Sequence, residues 1–258
     1  MKQEPKARNK GTGTRAGIVG MPPLAVIRKL NEKQATIFDL DEPIVKKNME
    51  DALPFLPRVY CAVLRTVVLN AMNLDLDCIY IDVGAGKCDS ALHVAAVLRH
   101  YLEIPVIETR NSDTRAFGTT ICLSKMNLLK KMELITKGVT KTDPASSSTL
   151  PACIPTAGFW GVPPRDFSLL TVFPKTTHIY GWTRCMENKT PAEIELESHY
   201  NPDIPTVFFA QSFCAKTALA KLLADKHPHG LFVDADVTAG SSAKAKIQAF
   251  LELSGVSL

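Results

Sequence analysis

Several function classes are set aside by what this sequence of 258 residues lacks. Its seven cysteines (Cys61, Cys78, Cys88, Cys122, Cys153, Cys185 and Cys214) are odd in number and dispersed, with no Cys-x-x-Cys pair. Thiols so spread build neither a disulfide framework nor a zinc knuckle. They suit a reducing compartment, so a cytoplasmic location is expected. No stretch of about 18 apolar residues is present, which predicts no membrane-spanning helix and no membrane partner. The six histidines include no H-x-x-x-H or H-E-x-x-H spacing. His93 and His100 share a helical face but lie about 10 Å apart along it, too far to hold one ion. No metal site is predicted. A phosphate loop of the form G-x-x-x-x-G-K-[ST] needs glycine at position 81 and a hydroxyl at 88, where the chain has Ile81 and Cys88. Its cradle and its magnesium ligand are both missing.

What is present describes a globular chain. Hydrophobic residues make up 46%, enough for one large core or two small ones. Net charge is only +4, but residues 1–33 carry eight basic side chains against Glu4 and Glu32. Residues 1–20, with Gly11, Gly13, Gly17 and Gly20 among basic and small polar residues, read as a flexible basic tail. Residues 21–258 read as a single α/β domain. Together with a second positive zone, Lys125, Lys130, Lys131, Lys137 and Lys141, the tail points to RNA as a partner. Phe159, Trp160 and Trp182 are then candidate stacking surfaces.

Apolar spacing predicts a helix over 59–72, a buried strand over Cys78–Val83, a helix over 91–101 and a strand over 105–108. That is a strand, glycine loop, helix and strand, which implies parallel pairing through a right-handed crossover. A strand over 116–123 and a helix with a basic face over 126–134 follow. Residues 138–164, rich in Ser, Thr, Pro and Gly, read as a loop, lid or hinge. Further strands are expected at 169–173, 178–181, 205–210 and 231–233, with a closing helix over 241–253. The expected architecture is a Rossmann-like three-layer sandwich with a mostly parallel sheet.

The glycine loop carries the chemistry. Asp82-Val83-Gly84-Ala85-Gly86 leaves a buried strand where ligands of parallel sheets collect, and the helix after it offers unpaired N–H groups. Glu108 ends the next strand, spaced to accept hydrogen bonds from ribose hydroxyls. The run Ile79 to Gly86 resembles the first motif of the class I S-adenosylmethionine-dependent methyltransferases: a hydrophobic strand, an acidic residue, then Gly-x-Gly and a helix. The resemblance covers residues 77–108. It implies a methyltransferase, acting on RNA or a small molecule, whose S-adenosylmethionine is held by Asp82, Gly84, Gly86 and Glu108. The family's third glycine is Cys88 here, Lys87 is unusual for it, and its later motifs have only Asp166, Thr183 and Arg184 as candidates.

Two other readings stand beside it. Ile37-Phe38-Asp39-Leu40-Asp41 resembles the first motif of the haloacid-dehalogenase-like phosphatases, which implies a magnesium-dependent aspartyl phosphatase. Asp39 would be its nucleophile and Asp41 its proton-handling residue, with Lys216, Asp234 and Asp236 in support. The family's Gly-Thr is replaced by Glu42-Pro43. The third reading is a non-enzymatic α/β protein with a degenerate nucleotide pocket.

Overall fold

The computed structural model describes residues 13–114, 120–142, 150–192, 194–237 and 240–257. The chain divides into two compact units, residues 1–114 with 140–142, and residues 115–139 with 143–258. Both are α/β, and each holds one all-parallel four-stranded sheet flanked by helices, so the Rossmann-like architecture is realised twice. The expectation from sequence is one α/β domain over 21–258.

In the first unit, strands β1 (Arg15–Val19), β2 (Thr36–Asp39), β3 (Cys78–Asp82) and β4 (Val106–Thr109) lie in the order β2-β1-β3-β4. Helix α1 (Leu24–Glu32) joins β1 to β2, α2 (Ala62–Asn73) joins β2 to β3, and α3 (Ser90–Tyr101) joins β3 to β4. The chain moves one way from β1 to β2 and the other way from β2 to β3. Right-handed crossovers then put α1 on one face and α2 and α3 on the other. Ala16, Ile18, Ile79 and Ile81 are fully buried at the centre of this sheet. The turn of direction falls between β1 and β3, and their carboxyl ends flank the crevice where such sheets bind ligands.

Residues 15–19 correct the expectation of a flexible tail. They form the central strand, paired with β2 from Arg15 to Ile18 and with β3 from Ala16 to Val19. Ala16, Ile18 and Val19, interrupted by Gly17 and next to Arg15 and Gly20, are too short a run to read as a strand alone. Their burial comes from neighbours more than twenty residues away in sequence. Residues 1–12 of the expected tail lie outside the described residues.

In the second unit, α4 (Thr120–Leu123) and α5 (Leu128–Gly138) precede β5 (Ala157–Gly161), β6 (Thr177–Tyr180), β7 (Thr206–Gln211) and β8 (Gly230–Ala235), ordered β6-β5-β7-β8. Helices α6 (Trp182–Asn188) and α7 (Ile194–Ser198) join β6 to β7, α8 (Thr217–Lys226) joins β7 to β8, and α9 (Gly240–Leu253) follows. Taken in chain order, the strands of both sheets run second, first, third, fourth. The two units therefore share one topology without a repeat at the level of residues.

Three further expectations are corrected. Ala157–Gly161 lies inside the stretch read as a loop, yet it is the buried centre of the second sheet. Its Gly-Phe-Trp-Gly composition hid it, since the flanking glycines read as turn signals. Gly161 has φ +145°, and a side chain there would meet the Phe209 carbonyl. Residues 167–172 form a 3-10 turn rather than a strand, capped by Asp166, which accepts from the Ser168 N–H at 2.9 Å. Thr120–Leu123 is a short helix where a strand is expected, and residues 115–119 lie outside the described residues, as do 143–149 of the expected hinge. No helix among the described residues is long and apolar enough to cross a membrane.

Candidate functional site

The carboxyl ends of the first sheet bring Gly20, Asp82, Gly84, Gly86 and Lys87 to one crevice. Asp82 is the last residue of β3 and is 1% exposed. Its Oδ1 accepts from the N–H of Asn111 at 2.9 Å and of Gly84 at 3.3 Å, so one carboxylate oxygen ties the glycine loop to the loop after β4. Its Oδ2 is buried and makes no hydrogen bond. The nearest cation is Lys87, whose Nζ lies 4.0 Å away. Burial pushes the Asp82 carboxyl above its usual range, and Lys87, the two backbone N–H groups and Arg110 pull it back in part.

Gly84 has the backbone of Arg110 and Asn111 beside it, and a Cβ there would sit 2.9 Å from the Asn111 nitrogen. Only glycine fits that approach. Gly86, at φ +74°, turns the chain into α3, and Ala85 and Gly86 are exposed. The loop therefore presents open backbone to solvent above a buried charge. Gly20, at φ +72°, ends β1 on the other side of the crevice, and its N–H donates to Asp41 at 2.8 Å. The Lys87 side chain crosses from the glycine loop and rests on Gly20. Asp113 accepts from the Leu24 N–H at 2.7 Å and closes the start of α1.

Glu108 is not brought to this crevice. It pairs with Ile81, one residue before Asp82, and successive strand residues face opposite sides of a sheet. Its carboxylate instead accepts from Arg99 of α3 at 2.5 Å. The residues around the loop that the sequence does not single out for the site are Gly20, through its backbone, and Asn111 and Asp113. Only the Gly20-Met21-Pro22-Pro23 turn carries a local signal, since it marks the end of a strand.

Asp39 and Asp41 stand at the end of β2, the edge strand. The Asp39 carboxylate accepts from the Asp41 N–H at 3.1 Å, and Asp41 holds Gly20. Lys216, Asp234 and Asp236 belong to the second unit. There Lys216 is paired with Glu197 and lies over the Trp182 ring, and Asp234 accepts from the Ser212 hydroxyl at 2.6 Å. Among the described residues, no three of His, Cys, Asp or Glu sit together as metal ligands.

The positive zone is divided by burial. Lys125, Lys130, Lys137 and Lys141 are exposed. Lys131 is fully buried, and its ammonium donates to the carbonyls of Thr177 at 2.6 Å and Cys122 at 3.3 Å. Burial lowers its pKa to about 8, against the pull of Cys122, Cys153 and Glu187. Phe159 and Trp160 are core side chains rather than stacking surfaces, and the Trp160 Nε1–H donates to the Glu197 carbonyl at 2.5 Å. Thr183 is buried and donates to the Gly161 carbonyl at 2.8 Å. His227, in the turn before β8, is 5% exposed and accepts from the His229 N–H at 2.9 Å.

No protein-family model, no curated protein and no solved structure matches the chain.

Proposed function

We propose that the first unit binds S-adenosylmethionine at the crevice between β1 and β3, and that the protein is a methyltransferase with RNA as its acceptor. One observation carries this reading. The Gly84–Gly86 loop leaves a buried central strand where the order of connection reverses, with exposed backbone above and, below, the Oδ2 of Asp82, which is buried, accepts no hydrogen bond and lies 4.0 Å from the Lys87 ammonium. An adenosine-bearing ligand needs close backbone approach and a buried acceptor, and both are supplied by this chain. When bound, the cofactor supplies an electrophilic methyl group. The protein's part is alignment of donor and acceptor, so no nucleophilic side chain is required. Asp82 keeps the loop in place through the Gly84 and Asn111 N–H groups, and Gly84 and Gly86 leave room. The exposed lysines 125, 130 and 137 support an acid-rich acceptor such as RNA.

Calorimetric titration of S-adenosylmethionine tests the reading. Binding by the natural chain that is lost in Gly86→Asp supports it. Equal binding to both proteins, or binding to neither, removes it. The acceptor is tested separately by RNA binding at rising salt, using a chain without residues 1–12, a deletion that leaves β1 intact. Affinity that does not fall with salt removes RNA as the partner.

A further inference from the structure

Three non-glycine residues among those described have positive φ: Gln34, Lys189 and Phe213. The first two stand at the ends of α1 and α6, where a left-handed residue closes the last turn. Phe213 ends no helix. It sits at φ +63° in the loop between β7 and α8, and it is 58% exposed. A bulky residue at positive φ is strained, and such strain collects where a fold presents a side chain to a ligand. Burial does not offset it here, because the ring is left in solvent. The turn is pinned on both sides of Phe213. The Ser212 N–H donates to the Ala235 carbonyl at 2.9 Å, and its hydroxyl donates to Asp234 at 2.6 Å. The Cys214 N–H donates to the Gln211 carbonyl at 2.9 Å.

The place is the ligand edge of the second sheet. β7 is one of its two central strands, and the order of connection reverses between β5 and β7. Phe213 follows the carboxyl end of β7, and Asp234 lies near the carboxyl end of the neighbouring β8. An acidic residue about 20 residues after the loop, at the end of the next strand, receives ribose hydroxyls in sheets of this kind. Glu108 of the first unit has that spacing but turns to Arg99. Asp234 instead reaches the loop itself, through Ser212. A carboxylate accepts about four hydrogen bonds, so the one from Ser212 orients it and leaves capacity for a ligand.

We propose that this edge is a second ligand site, for a nucleoside with a free ribose cis-diol. The base stacks on the exposed ring of Phe213, and the ribose hydroxyls donate to Asp234. A phenylalanine in place of the glycine usual at such a turn leaves less room for phosphate against the backbone and offers a ring face instead. A free nucleoside and the 3′ end of an RNA chain share this chemistry. The inference does not depend on the ligand given to the first unit.

The experiment is equilibrium dialysis with adenosine, 2′,3′-dideoxyadenosine and a short oligoadenylate with a free 3′ end. It uses the full natural chain and the full chain carrying Gly86→Asp, in which the first crevice is blocked. Phe213→Gly, Phe213→Trp and Asp234→Ala are made in both, and thermal unfolding is followed for each. Loss of the ring is expected to weaken adenosine binding by about five- to a hundredfold, while Phe213→Trp keeps it within a few-fold. Asp234→Ala is expected to weaken adenosine by about tenfold or more and to leave the dideoxy compound, already weaker, unchanged. Phe213→Gly should unfold at the same or a higher temperature, since glycine is unstrained at this φ. Earlier unfolding would make Phe213 a packing residue and overturn the proposal. Adenosine bound equally with and without the ring, or the dideoxy compound bound as tightly as adenosine, overturns it too. Oligoadenylate bound more tightly than adenosine, and in a Phe213-dependent way, supports the site and makes RNA its source. Equal Phe213-dependent binding of the two supports it with a free nucleoside as the source. Binding of neither overturns it. Each outcome leaves the titration of S-adenosylmethionine at the first crevice to be read separately.

Discussion

The ammonium of Lys87 lies directly on the backbone of Gly20, so that a methyl group added at residue 20 would overlap Nζ and Cε of the lysine. The two residues are 67 positions apart and close the crevice between the two central strands of the first sheet. Gly20 is also held at φ +72° by the turn out of β1, where an L side chain is strained.

Gly20→Ala is therefore expected to cost about 2 kcal/mol or more, from the strained backbone and from displacement of Lys87. The second part depends on the lysine side chain. A double-mutant cycle with Lys87→Ala separates them, because the truncated side chain no longer meets the added methyl group. Denaturant unfolding should show the double variant more stable than the sum of the single changes requires. Strict additivity would mean that the lysine leaves Gly20 at no cost.

Asp82 joins two loops through one oxygen. Asp82→Ala leaves the Gly84 and Asn111 N–H groups without their acceptor, a loss of about 2 kcal/mol or more. Asp82→Asn keeps an acceptor at the same place and should lose much less. The two substitutions also separate structure from charge. The Asp82 carboxyl is held above its ordinary value of 3.8 by burial, so the native state binds its proton more tightly than the unfolded chain does. The stability this contributes is full below pH 3.8 and is lost as pH rises through the folded value. Natural protein should thus lose stability relative to Asp82→Asn on going from acid toward neutral pH. A difference that stays flat over that range would contradict the burial of a charged Asp82.

The glycine loop and the strands on either side of it were legible in sequence because they depend on local pattern. Cys78–Asp82 is a compact apolar run, and Gly84 and Gly86 follow it before a helical period begins. Arg15–Val19 and Ala157–Gly161 were not legible, although each is the centre of its sheet. Both are short, and both contain glycines that look like breaks. Gly17 faces the Leu40 and Leu76 side chains, and Gly161 faces the Phe209 carbonyl, so these glycines answer to crowding from distant residues. Glu108 shows the same limit at the site. Its spacing from Gly86 suits a ribose, but which side of β4 it faces is decided by register, and register pairs it with Ile81. Lys131 shows it again, since a lysine in a run of basic residues reads as surface until Thr177 and Cys122 are seen to surround it.

Gly181 ends β6 at φ +72°, and a Cβ there would lie 2.9 Å from Cε2 and 3.0 Å from Nε1 of Trp160. The indole cannot move aside freely, because it is fully packed between the strands and α8 and its Nε1–H is bonded to the Glu197 carbonyl. Gly181→Ala is expected to destabilise by about 3 kcal/mol, adding overpacking to backbone strain. Trp160→Phe should relieve the overpacking while giving up that hydrogen bond. In the Trp160→Phe background Gly181→Ala should therefore cost less than in the natural chain. An equal cost in both backgrounds, measured by denaturant unfolding, would assign the whole effect to backbone strain.

Lys131 makes the sharpest pH prediction. Its ammonium is buried with two carbonyl partners, and its pKa falls from 10.5 to about 8. The folded state therefore releases the proton before the unfolded chain does. The gap between those two values corresponds to about 3 kcal/mol of stability withheld at pH 7. That penalty is constant below about pH 8 and is relieved as pH climbs toward 10.5. Lys131→Met removes the titration but leaves the Cys122 and Thr177 carbonyls without a donor, so its stability at pH 7 reflects two opposed effects. The pH dependence does not share this ambiguity. Denaturant unfolding of natural protein and variant, compared at pH 7, 8, 9 and 10, should show natural protein gaining on Lys131→Met only above about pH 8. A constant difference across the range would mean that the native lysine keeps an ordinary pKa, and that its two carbonyl contacts offset burial in full.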